Sequence, residues 1–150
     1  IRAGASIIEL AYNAFMAADL HALSPEITVS GVGILARSVL AHGLLTGHWS
    51  AEREFDEGDH RAHRWTRNEL KLRISQLDAL RPAVRDDIPT LRAVALRFVL
   101  SNQLVSSAVI GPRSVSQIDS LVREAGAPPY LKDTVMVELA TRLADAGLDV

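Results

Sequence analysis

Apolar residues follow two rhythms along this chain. The short runs SIIELAY (residues 6–12), GVGILAR (31–37) and VSSAVI (105–110) are apolar on both faces and read as buried strands. The other rhythm is helical. Leu70, Ile74, Leu77 and Leu80 recur at three- and four-residue steps and predict an amphipathic helix over residues 65–84, ended by Pro82. Asp86-Asp87-Ile88-Pro89 then reads as a capped restart, with Leu91, Val94, Ala95, Phe98 and Val99 forming a broad buried face. Two more helices are predicted, over residues 114–124 and over residues 132–146, the second carrying Val135, Leu139 and Leu143 on one stripe. A short helix begins near Ser24-Pro25-Glu26, with Ser24 as N-cap and Pro at the first helical position. LAHGLLTGHW (residues 40–49) reads as a loop or single turn, and the polar stretch from Ser50 to His63 as a long surface loop.

Strands that alternate with helices and are apolar on both faces belong to a parallel α/β sheet. Three strands fit either a doubly wound sheet or a piece of a (β/α)₈ barrel, for which about 250 residues is usual. The chain has 150 residues and one domain's worth of core, and it opens at Ile1 just ahead of a strand, as if cut from something longer.

Composition narrows the partners. With Lys+Arg 16 against Asp+Glu 18 and aromatic residues at 5%, neither a basic surface nor a set of stacking platforms invites nucleic acid. The chain has no cysteine, which removes disulfides and thiolate chemistry and fits a reducing cytosol. No apolar stretch reaches the roughly 18 residues that span a bilayer, so no membrane association is expected and the expected location is cytoplasmic.

Three stretches carry candidate chemistry. Gly31-Val32-Gly33-Ile34-Leu35-Ala36 matches a dinucleotide fingerprint in letters only. Its glycines precede the strand instead of following it, which suits a helix C-cap turning into a strand. Asp56, Asp59, His60 and His63 have spacing compatible with a metal, but Arg61 and Arg64 beside them repel a cation, which favours a solvated loop. The third stretch runs from the last strand into a helix. Gly111 permits close backbone approach, Arg113 offers a planar fork, Ser114 can cap the helix, and Gln117 lies one turn on. An anion site and a capped surface turn fit these residues equally well.

Four segments, in order, resemble the aldo-keto reductases. They are Tyr12-Asn13, the run A-R-S-V-L-A-H-G-L-L-T-G (residues 36–47), A-L-R-F-V-L (95–100), and I-G-P-R followed by Gln117 (110–117). The resemblance implies an α/β fold forming the C-terminal half of a (β/α)₈ TIM barrel, strands six to eight with their helices, over residues 1–150. It also implies an oxidoreductase that uses NADP(H) to reduce a small-molecule aldehyde or ketone, with hydride moving from the nicotinamide to the carbonyl carbon. By this resemblance Glu9 and Arg37 lie at the nicotinamide, and Ser38, Leu40 and Gly43 lie along the pyrophosphate. Gly111, Arg113, Ser114, Gln117 and Leu121 surround the adenosine 2′-phosphate and adenine. Glu9 stands in place of Gln, Val39 in place of Pro and Leu121 in place of Asn. The family's catalytic Tyr, Lys, Asp and His belong to the first half of the barrel and have no match here, so catalysis would need that N-terminal half. The alternative is a stand-alone, non-catalytic half-barrel serving as an interaction or dimerisation module.

Overall fold

A computed structural model describes residues 1 and 3–149. Its centre is a three-stranded parallel sheet in the order β1-β2-β3, with β1 Ile7–Ala11, β2 Gly33–Arg37 and β3 Ser107–Ala108. Ile7 pairs with Gly33 and Ala11 with Arg37, while Leu35 and Ala36 of β2 pair with Ser107 and Ala108. The β3 ladder is shorter than the predicted run, although bonds from Ser106 N to Ile34 O (2.9 Å) and Val109 N to Ala36 O (2.8 Å) prolong its pairing.

The strands are not covered on both faces, contrary to the sequence reading. Ile34 and Ala36 point into the core, whereas the alternate positions Ile7, Glu9 and Arg37 are exposed, as period-two alternation requires of a sheet with one open face. Helices pack on the covered face. Its core is built from Leu20, Leu44, Leu45, Leu77, Leu80, Leu96, Phe98, Val99, Leu139 and Leu143.

Six helices are described: α1 Ala18–Ala22, α2 Ser24–Ser30, α3 Arg67–Gln76, α4 Leu91–Ser101, α5 Val115–Ala125 and α6 Asp133–Asp145. Helix α1 is absent from the sequence reading. Because α1 runs straight into α2, Leu23 closes one and opens the other, and Ser24 sits inside α2 instead of capping it. Gly31 caps α2 at φ 66°, as the Gly31-Val32-Gly33 pattern suggested.

Helix α3 is also shorter than its periodicity implied. Thr66 and Glu69 form a capping box that sets its start, and beyond Gln76 the chain tightens into 3₁₀ turns at Leu77–Ala79 and Arg81–Ala83, the second holding Pro82. The predicted start at Asp86 fails as well. Ile88 precedes a proline and is steered away from helix, Arg85 bridges Ile88, and Thr90 caps α4 by accepting from Ala93 N at 2.9 Å. Among the described residues no helix is long and apolar enough to cross a membrane.

Candidate functional site

In parallel strands joined by helical crossovers, all strand C-termini lie at one end of the sheet, and the loops that leave them form the site. Here the turns after β2 and β3 come together. The first, from Ser38 to Gly47, is a strained piece of backbone: Ser38 (φ 58°), Ala41 (45°) and His42 (59°) all occupy the left-handed region. Each such residue costs about 1–2 kcal/mol, and strain of this kind concentrates at binding sites.

Neighbouring hydrogen bonds hold it. Fully buried Asn13 donates from Nδ2 to Ser38 O at 2.9 Å and accepts Phe15 N at 2.9 Å. Ala41 N donates to Ser38 O, and Gly43 N to Leu40 O. Gly43 is required by its φ of 101° and because a Cβ there would sit 3.1 Å from the Trp49 ring.

The second turn leads into α5. Ser114 accepts Gln117 N at 3.2 Å as the N-cap, and the Gln117 side-chain oxygen accepts Arg113 N at 2.7 Å. Both groups thereby fix the direction of the turn, and Arg113's side chain remains exposed with no ion pair among the described residues.

Between the two turns lies a cleft of about 520 Å³. Seven of the ten residues expected at a cofactor line it: Ser38, Leu40, Gly43, Gly111, Arg113, Gln117 and Leu121. Leu121 is buried and forms an apolar wall. Ser114 is not in the lining, since its hydroxyl serves the cap and approaches Ser116 Oγ at 3.0 Å. Glu9 and Arg37 stand apart on the open face of the sheet, half-exposed, with Arg37 Nε 3.8 Å from Glu9 Oε1.

The structure adds residues that the sequence reading did not assign. Arg61, from the stretch taken for a solvated loop, enters the cleft, and Arg92 enters it from α4. Arg61 is no solvated side chain: it is 15% exposed, is ion-paired to Asp59 and donates from Nε to Asp59 Oδ1 at 2.8 Å. Its guanidinium stacks 5.6 Å from the Trp49 ring centre and 5.0 Å from that of Phe55. Trp49, Phe55 and Trp65 form an aromatic cluster with centres 5.0–6.4 Å apart, which folds the loop inward.

Phe55 inside the polar stretch, with Trp49 and Trp65 flanking it, was the available signal. Asp59 is consumed by Arg61, whose hydrogen bonds hold its carboxyl far below the usual carboxylate range. Among the described residues no group of three or more acidic or histidine side chains could hold a metal. Arg92 is clamped by Glu124 through bonds of 2.6 and 2.7 Å. Of the three arginines in the cleft, only Arg113 therefore offers an uncompensated charge.

His42 also lines the cleft, and its imidazole is held below its ordinary value by burial and then by the positive charges of Arg64, His60, Arg37 and Arg61. The region is locally positive although the whole chain is weakly acidic.

Comparison with known proteins bears on this geometry. No curated protein matches the sequence. Among solved structures, the chain is similar to the glycerol dehydrogenase AKR11B4 from Gluconobacter oxydans, with a TM-score of 0.79 and 22% identity over 99% of this chain and 46% of that one. It is also similar to the aldo-keto reductase AKR11C1 from Bacillus halodurans in its holo form, with a TM-score of 0.64 and 23% identity over 91% of this chain and 41% of that one. At such identities the likeness is one of fold, and the chain spans less than half the length of either structure. A family model described as Aldo/keto reductase family matches residues 2–135. That match covers most of the sequence, and the chain belongs to the aldo/keto reductase family.

Proposed function

We propose that this chain is the cofactor-binding, C-terminal part of an NADP(H)-dependent aldo-keto reductase, with β1, β2 and β3 as the sixth to eighth strands of a (β/α)₈ barrel. The observation that carries the reading is the cleft itself. It draws Ser38, Leu40 and Gly43 from one strand end and Gly111, Arg113 and Gln117 from the next, beside the N-terminus of an 11-residue helix.

The residues fit the group. Nothing lies within 4 Å of a Cβ placed at Gly111, so the backbone there is open to a ligand, whereas the space over Gly43 is filled by Trp49. Arg113 gives a planar fork for a 2′-phosphate, and Leu121 offers apolar surface to adenine. NADP(H) supplies the hydride when bound. This chain's residues bind and orient: Asn13 fixes the Ser38 turn, and Gln117 fixes the direction of Arg113.

Proton donation to an aldehyde or ketone oxygen falls to residues outside this chain, so activity needs the N-terminal half of the barrel. Val115, Ile118 and Val122 support that requirement, since they form an exposed apolar stripe on α5 at 74%, 47% and 68% exposure. The test is a titration with 2′,5′-ADP and with 5′-ADP. Tighter binding of the 2′-phosphorylated nucleotide is expected, and equal or absent binding of the two would refute the assignment.

A further inference from the structure

A second cleft, of about 530 Å³, adjoins the first and shares Ser38 and His42 with it. Its walls mix apolar and polar side chains, with Phe15 and Leu44 buried and Trp65 half-buried on the apolar part. Its charge is net positive, two arginines against one carboxylate. Arg64 and Arg73 both line it, and neither makes an ion pair among the described residues. Glu69 is the acid in the lining: its carboxylate accepts Thr66 N at 2.7 Å and Thr66 Oγ1 at 2.8 Å and also feels the charge of Arg73 one helical turn on, which leaves Arg64 as the less compensated cation. Arg73 donates to Gln76 Oε1 at 3.0 Å and lies 6.0 Å from the Phe15 ring centre, and Arg64 lies 5.5 Å from that of Trp65.

We propose that this cleft binds a small molecule with an aromatic or compact apolar body and a carboxylate, the body against Phe15 and Trp65 and the carboxylate meeting the guanidinium groups of Arg64 and Arg73. The planar fork of arginine matches a carboxylate, while the apolar walls favour a ligand that is more than a bare anion. The two clefts meet at Ser38 and His42, so a ligand held here lies beside the cofactor cleft; that placement rests on the cofactor reading above, whereas the binding itself does not.

The test is a set of amide chemical-shift titrations with benzoate, its neutral isostere benzamide, inorganic phosphate and 2′,5′-ADP. Benzoate is expected to bind about tenfold tighter than benzamide and tighter than phosphate. Arg64→Gln and Arg73→Gln should each weaken benzoate by about tenfold, and Arg73→Gln should leave 2′,5′-ADP unchanged. Equal affinity for benzoate and benzamide, equal affinity for benzoate and phosphate, or benzoate binding unaffected in both variants overturns the proposal. If 2′,5′-ADP fails to bind while benzoate follows the expected pattern, the cofactor reading falls and the carboxylate pocket stands.

Discussion

Gly47 ends the 3₁₀ segment that follows β2, with φ 76°, and packs directly on α4. A Cβ added there would lie 2.5 Å from Leu91 Cδ1 and 3.3 Å from Leu91 Cβ. Two costs therefore add in Gly47→Ala. Left-handed backbone costs a non-glycine residue about 1–2 kcal/mol, reduced by about 0.4–1 kcal/mol because alanine restricts the unfolded chain. Overpacking against Leu91 adds about 1–3 kcal/mol, for a total of roughly 2–4 kcal/mol.

Gly31 is the internal control. It has nearly the same φ, 66°, and nothing within 4 Å of a Cβ, so Gly31→Ala should cost only about 0.5–1 kcal/mol. With a urea slope of about 2 kcal/mol/M, the unfolding midpoint should fall by about 1–2 M for Gly47→Ala and by less than about 0.5 M for Gly31→Ala. Leu91→Ala in the Gly47→Ala background should cost less than in the parent, because the clash has gone. Equal midpoints for the two glycine variants would show that Leu91 does not press on this turn.

Arg113→Ala should weaken NADPH by about tenfold or more and NADH little, because a charge-assisted contact is worth about 1.5–3 kcal/mol and only the 2′-phosphate would use it; equal loss for both cofactors in the complete enzyme refutes the role. Breaking the Arg92–Glu124 pair, whose side chains are 23% and 12% exposed, should lower the thermal midpoint in either single variant, Arg92→Met or Glu124→Leu. The double variant should recover part of the loss, since a lone charge left in a covered site costs more than losing the pair; additive losses would contradict this. His42 is held below its ordinary 6.5, first by burial, so the unfolded chain takes up a proton before the folded one does. This contribution is complete above about pH 6.5 and is lost as pH falls through the folded value, so His42→Asn, which tolerates φ 59°, should flatten the drop in urea midpoint between about pH 7.5 and pH 5.5. An unchanged pH slope would place the effect elsewhere.

The sequence made local features readable. Strand cores such as Ile34 and Ala36, the Ser114 cap on α5 and the Leu139–Leu143 stripe follow from periodicity and capping, which act within a few residues. Long-range contacts were not readable. Nothing adjacent to Arg61 says that it will stack on Trp49 and Phe55 and reach the carbonyl of His42, 19 residues away. Thr90 and Asp86 are both good caps on propensity, and the Arg85–Ile88 bridge together with Pro89 decides between them. The exposed face of β1 looked buried because Ile7 and Ile8 are equally apolar in letters, and only register shows that one of them lies uncovered. At the cleft, the lining residues around Ser38 and Arg113 could be named from the sequence, whereas the entry of Arg61 and Arg92 and the pocket lined by Trp65 depend on tertiary placement.

The aromatic cluster has an optical consequence. The chain has two tryptophans, Trp49 and Trp65, and their rings stand 5.8 Å apart at 75° within the loop that delivers Arg61. All of its indole emission therefore originates beside the clefts, Trp65 lining the second and Trp49 packing on Gly43 and Arg61 of the first, and the short separation places the rings within excitonic coupling range. Ligand arrival, loop opening and loss of the Arg61 stack should each alter emission or near-ultraviolet dichroism with no label attached, so the protein carries its own reporter where its chemistry is expected.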